Sequence, residues 1–249
     1  MHCSEYKIEF PSPEFRMDQR EEWIIVHSEG SDKKIGLHDY ARFYEMPGLY
    51  EEVIYKHLKC NSPQVICGLL KKELQKNGEG SQNLRALDFG AGNGIVGEYL
   101  RQEIGSEVLV GVDILSEALE AVRRDRPGIY DDYYVMDLSQ PEKFEEKKLK
   151  MWNFNVLLTI GALGFNDIPA RAFINAFNVV EDDAWVAFNI KDEFLSKNDD
   201  SGFKNVLDSM VGDSFHLLQM KRYCHRLSIS GEPLYYHAIV GKKVKKVVL

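Results

Sequence analysis

The chain has 249 residues, of which 44% are hydrophobic and 28% charged, and a formal net charge of -8. This length suits one α/β domain with an appendage better than two full domains, and the composition is ordinary for a globular protein. The acidic balance argues against a nucleic-acid partner, which calls for a basic face, and no run of about 18 apolar residues is available to span a membrane.

In chain order, residues 1–36 read as an N-terminal extension. Pro11-Ser12-Pro13 is a loop signal, residues 22–27 read as a strand and residues 28–32 as a turn. Residues 37–76 carry helical spacing: Val53, Ile54 and Leu58, then Val65, Ile66, Leu69 and Leu70, recur at i and i+4. Asn61-Ser62-Pro63 divides this stretch into two helices, with Ser62 as N-cap and Pro63 at the first helical position. From residue 84 strand and helix alternate. Strands are predicted at 84–89, 107–113, 133–136, 154–160 and 184–190, and helices at 94–103, 116–123, 168–179 and 202–210. The alternation predicts a doubly wound sheet, and the apolar run Val156-Leu157-Leu158-Thr159-Ile160 suits a central parallel strand. Two long strand-like runs, 216–228 and 234–247, leave no room for a crossover helix between them. They predict an antiparallel hairpin, with the Lys242–Lys246 lysines guarding an edge strand.

Leu87-Asp88-Phe89-Gly90-Ala91-Gly92-Asn93-Gly94 follows an apolar strand and precedes an amphipathic helix. Glycines there allow a sharp turn and close ligand approach, and the helix start offers free N–H donors. Asp113 ends the next strand, where a carboxylate can accept ribose hydroxyls. Gly92-Asn93-Gly94-Ile95-Val96-Gly97 also matches the GxGxxG of nicotinamide-binding domains. However, Asp88 would repel a pyrophosphate and attract the ammonium and sulfonium of S-adenosylmethionine (SAM).

These residues, with Asp137-Leu138 after the third strand and the terminal hairpin, resemble the class I SAM-dependent methyltransferase superfamily over roughly residues 37–249. The segments 155–163 and Tyr40-Ala41-Arg42-Phe43-Tyr44-Glu45 resemble its methyltransferase-like branch of the Williams–Beuren-region type. The resemblance implies an α/β, doubly wound, seven-stranded mixed sheet (a Rossmann-like class I methyltransferase fold) with an antiparallel C-terminal hairpin. It implies a SAM-binding domain at 37–249 with a helical lid at 37–80. It also implies residue roles. The backbone of Gly90, Ala91 and Gly92 holds the methionyl part, and Asp88 supports its ammonium. Asp113 takes the ribose, Ile114 packs on adenine, and Asp137 and Leu138 bind its edge. Thr159, Ile160 and Gly161 lie under the sulfonium, and Tyr44 covers the cofactor.

The expected activity is methyl transfer from SAM, with S-adenosylhomocysteine as product. Such transfer needs alignment and water exclusion more than a base, so no catalytic residue is named. No Asn/Asp-Pro-Pro-Tyr/Phe motif follows the fourth strand, where Gly161-Ala162-Leu163-Gly164-Phe165 stands, and no acidic pair is visible near Asn166-Asp167. The expected acceptor is a small molecule, with a protein side chain as the alternative. Lys191 and Phe194 after the fifth strand, with Asp192 and Glu193 between them, and Tyr223 and His225 on the hairpin are candidate acceptor-binding residues. Competing readings are a catalytically silent SAM-binding partner or sensor, and an NAD-dependent oxidoreductase. The four cysteines Cys3, Cys60, Cys67 and Cys224 form no CxxC pair, so free thiols and no metal site are expected. With no apolar leader at the N-terminus, a cytoplasmic location is expected.

Overall fold

The computed structural model describes residues 6–12, 14, 17–28, 30–80, 83–163, 167–196 and 201–248. The glycine loop belongs to a seven-stranded sheet that starts in its middle. β4 (Arg85–Phe89) pairs in parallel with β5 (Val108–Asp113), and β5 with β6 (Asp132–Val135). The chain then returns to the other side of β4 to lay down β7 (Val156–Thr159) and β8 (Trp185–Lys191), again in parallel. The connecting helices are α3 (Ile95–Tyr99), α4 (Ser116–Asp125), α5 (Lys143–Lys150) and α6 (Ala170–Val179). α3 runs on as a π-helical turn, Leu100–Ile104. Strand order therefore reverses between β4 and β7, and a crevice opens there at the carboxyl ends, where such sheets bind ligands.

After α7 (Phe203–Met210) come β9 (Phe215–Leu227) and β10 (Pro233–Lys243), a hairpin closed by residues 228–232. β10 inserts between β8 and β9, giving the order β6-β5-β4-β7-β8-β10-β9, with β10 alone antiparallel to the rest. The Rossmann-like methyltransferase architecture and its hairpin are thus present as the sequence predicts. The lysines behave differently. β9, not β10, is the edge, and β10 ends at Lys243 rather than continuing to residue 247. Lys243 is buried, with Nζ donating to Val180 O at 2.5 Å and lying 3.2 Å from Asp182. Lys242 pairs with Glu79 at 2.7 Å and lies over Trp185. Both lysines seal the bottom of the sheet rather than guard an edge.

Alternation along each strand sends neighbouring residues to opposite faces. Leu87, Leu157, Val186 and Ile239 join Phe173 and Phe177 of α6 on one face. Ala86, Val156, Leu158 and Ala187 join Ile66, Leu70 and Leu74 of α2 (Ser62–Lys76) on the other. α2, which lies within the 37–80 segment expected to form a lid, is therefore part of the layer that covers the sheet. Its N-cap is Asn61, not Ser62, because the Ser62 hydroxyl is committed to Tyr223 and His225.

The described residues between 6 and 58 form a cap with its own core. β1 (Lys7–Glu9), β2 (Trp23–Ser28) and β3 (Ser31–Gly36) make an antiparallel meander, where the sequence suggests one strand and a turn. Ile24, Val26 and Ile35 pack against Phe43 and Tyr44 of α1 (Tyr40–Glu45), Val53 and Ile54 of a π-helical turn (Glu51–His57), and Ala118 and Ala121 of α4. Glu22 and Arg226, 3% and 5% exposed, pair at 2.6 Å and tie this cap to the hairpin. Among the described residues no helix is long and apolar enough to cross a membrane.

Candidate functional site

The loop 90–94 turns back on itself through three positive φ angles, at Gly90 (75°), Gly92 (52°) and Gly94 (86°). A side chain at Gly92 would collide with the Tyr44 hydroxyl, which lies directly on it. The loop is anchored to β5: Gly90 N and Ala91 N donate to Val112 O at 2.8 and 3.1 Å. Gly92 N donates to Asp113 Oδ2 at 2.9 Å, and Leu115 N to Asp113 Oδ1 at 3.0 Å. These amides aim the carboxylate at the crevice and favour its ionised form. Burial outweighs them and pushes its pKa up.

A cavity of about 330 Å³ occupies the crevice, within the size range of small-molecule sites. Its walls come from the carboxyl ends of four neighbouring strands: Gly90 after β4, Asp113 and Ile114 after β5, Asp137 and Leu138 after β6, Ile160 and Gly161 after β7. Tyr44 and Tyr40 of α1 close it from the cap side. Ile114 is 58% exposed, so an apolar side chain offers itself to a ring. Asp137 lies beyond, both its oxygens accepting from Ser139 at 2.7 and 2.9 Å.

Other residues implied by the resemblance do not line this cavity. Gly92 is buried beneath Tyr44, Ala91 is buried, and Thr159 is fully buried. Asp88 is also fully buried, with Oδ2 accepting from the Tyr130 hydroxyl at 2.7 Å. Burial raises its pKa to about 7; the Tyr130 hydrogen bond opposes the rise and Asp113 adds to it. Lys191 pairs with Glu193, Asp192 with Arg222, and Phe194 sits in the core; none of these four lines this cavity. Gly164, Phe165 and Asn166 lie outside the described residues.

A second, smaller chamber of about 50 Å³ lies behind Ile160 and Gly161, which wall both spaces together with His38, Tyr40 and Asp167. His225 lines it; Tyr223 stands one hydrogen bond behind. Sequence reasoning missed most of the rest: Gln19 and His38 from the N-terminal segment, Cys60 and Ser62, Asp167, and Tyr236. It also missed the clamp on the glycine loop. Arg126 donates to Asn93 O at 3.1 Å and pairs with Glu51 of the cap at 2.8 Å, and Tyr133 donates to Gly92 O at 2.8 Å. The partners lie 33 to 75 positions apart along the chain, and no local pattern links them. Among the described residues no group of His, Cys, Asp or Glu is placed to hold a metal ion.

No family model and no curated protein matches the chain. Solved structures do. The N-methyltransferase NodS from Bradyrhizobium japonicum WM9, in complex with S-adenosyl-L-homocysteine, aligns at TM-score 0.55 with 10% identity, over 83% of this chain and 97% of that one. A Pyrococcus horikoshii protein proposed to be an RNA methyltransferase aligns at TM-score 0.51 with 13% identity, over 74% and 87%. At these identities the likeness concerns the fold, which is that of SAM-dependent methyltransferases.

Proposed function

We propose that the protein binds SAM in the 330 Å³ cavity and transfers its methyl group to an acceptor entering beyond Gly161. The observation that carries this reading is Asp113. Its carboxylate, held by two backbone amides at the end of β5, keeps unused lone pairs toward a cavity flanked by Ile114 and Leu138. That set fits a ribose with an adenine beside it. A dinucleotide is disfavoured, because the Tyr44 hydroxyl lies on Gly92, where a pyrophosphate would rest. Asp88 stands behind the loop and acts on an ammonium only through its field or through water.

Bound there, SAM would supply a methyl carbon activated by its sulfonium. The chain contributes position: Ile160 and Gly161 form the floor at the end of β7, and Tyr44 and Tyr40 exclude water from above. The segments resembling the Williams–Beuren-type branch, 40–45 and 155–163, supply that lid and that floor. The acceptor is read as a small molecule because the space beyond Gly161 is small and enclosed by the cap. Calorimetric titration with S-adenosylhomocysteine tests the reading. Asp113→Ala should bind it about 10- to 150-fold more weakly, matching the ~1.5–3 kcal/mol of a hydrogen bond to a charged group. Equal affinity in the two proteins, or preference for NAD, would refute it.

A further inference from the structure

The inner chamber is joined to the cavity floor by a chain of hydrogen bonds whose direction can be assigned. Gly161 N, which can only donate, lies 2.7 Å from Asn189 Oδ1. The other end of that amide, Nδ2, therefore donates to the Tyr223 hydroxyl at 2.9 Å. Tyr223 in turn lies 2.7 Å from Ser62 Oγ, and Ser62 Oγ lies 2.5 Å from His225 Nδ1. All five residues except Gly161 are buried. One arrangement gives every hydroxyl hydrogen an oxygen or nitrogen acceptor: Tyr223 donates to Ser62, and Ser62 donates to His225 Nδ1, whose other neighbour is the weakly accepting Cys60 Sγ at 3.9 Å. The opposite direction would have His225 donate to Ser62 and Ser62 to Tyr223, leaving the Tyr223 hydrogen buried and unused, which costs roughly 1–3 kcal/mol. The network thus assigns the His225 proton to Nε2.

His225 lines the chamber, its ring against Tyr236 with centroids 4.1 Å apart, and among the described residues nothing accepts from Nε2. Gln19, from the N-terminal segment, holds the Tyr236 hydroxyl from the far side at 3.2 Å. Asp167 brings a carboxylate to the wall, 3.2 Å from His38 Nδ1 and 3.4 Å from the Tyr40 hydroxyl. Arg226 is cancelled by Glu22, and burial keeps His225 uncharged by lowering its pKa to about 3. Burial also raises Tyr236 to about 12. A water needs roughly 10–15 Å³ of such space, so the chamber holds a group of about three to five heavy atoms.

Resting on the methyltransferase reading, we propose that this chamber is the acceptor subsite and that it selects a slender group bearing a hydrogen-bond acceptor for His225 Nε2–H. A carbonyl, an ether oxygen or an unprotonated ring nitrogen beside the methylated atom meets this description; an ammonium does not. His225 is then a specificity-determining donor and not a general base, since its one basic nitrogen is occupied by Ser62. The N-terminal segment is required for the subsite, because Gln19 and Glu22 fix the residues around it.

Nitrogen-15 NMR of histidine-labelled protein tests the wire in the unmodified chain, with His225→Gln assigning the signal. Nε2 is expected to carry the proton and Nδ1 to be bare; the reverse tautomer overturns the proposal. Acetamide and methylammonium are then titrated with and without saturating S-adenosylhomocysteine. Acetamide should shift the His225 Nε2–H signal and bind at least tenfold more tightly than methylammonium, and His225→Gln should lose that preference. Equal binding of the two probes, tighter methylammonium, or no acetamide shift overturns it. Failure of S-adenosylhomocysteine to bind refutes the cofactor reading instead, and the tautomer and probe results without it still decide the character of the chamber.

Discussion

The two ends of the crevice are built in different ways. On the β4–β5 side, Gly90, Gly92 and Asp113 come from consecutive strand–loop–helix units, and the Asp113 carboxylate is fixed by amides 2 and 21 residues away. On the hairpin side, His225 is placed by Ser62, 163 residues earlier, and Arg226 by Glu22, 204 residues earlier. The first end is built mainly from neighbouring strand–loop–helix units, to which the cap adds Tyr44 and the Glu51–Arg126 clamp. The second exists only when the cap, α2 and the hairpin are all docked. Cofactor contacts can therefore persist while the acceptor end varies, and damage to the cap should fall on the acceptor end first.

The sharpest way to break this comparison is at Glu22. Glu22→Ala leaves Arg226 buried without its partner and frees Ile229 N. The expected loss is about 3–5 kcal/mol, read from urea denaturation. A loss below about 1 kcal/mol would show that the two regions are not held by this pair.

Asp88 probes the local end. Its pKa rises from an ordinary 3.8 to about 7 on folding, chiefly through burial. The folded state then holds this proton more tightly than the unfolded state. The stabilising effect is fully present below pH 4, lost between about pH 4 and 7, and flat above. The whole change is as much as roughly 4 kcal/mol. Urea denaturation across that range should show a slope in the wild type that Asp88→Asn lacks. Parallel curves would mean that Asp88 is not buried as a titrating carboxyl.

Closure of the cap over the cavity is a subtler test. Adding S-adenosylhomocysteine should slow hydrogen exchange in residues 40–57 about tenfold, or ~1.4 kcal/mol, while β4 and β5 hardly change. Tyr44→Ala should abolish the effect. Equal protection with and without ligand would make Tyr44, Phe43 and Tyr50 fixed core and not a lid. The smallest effect belongs to an exposed pair away from both ends: Lys71→Ala, which removes the 3.1 Å contact with Glu103, should cost less than about 1 kcal/mol in urea denaturation.

The amino-acid sequence by itself determined the sheet, its hairpin and half of the cavity wall. Glycines at three positive-φ positions, a carboxylate closing the next strand and apolar runs of strand length are short-range signals, and short-range geometry obeys them. Tertiary structure alone decided which of the implied residues face the cavity. Tyr44 lies over Gly92 and hides it, Asp88 is turned into the protein toward Tyr130, and Thr159 is fully buried outside the cavity lining. It also decided that Lys191 and Phe194 line neither cavity while Ser62, which reads locally as a helix cap, serves the chamber. Each of these outcomes depends on partners from distant parts of the chain, and a buried polar group takes whichever partner the packing brings to it, because leaving it unpaired costs more than giving up a local role.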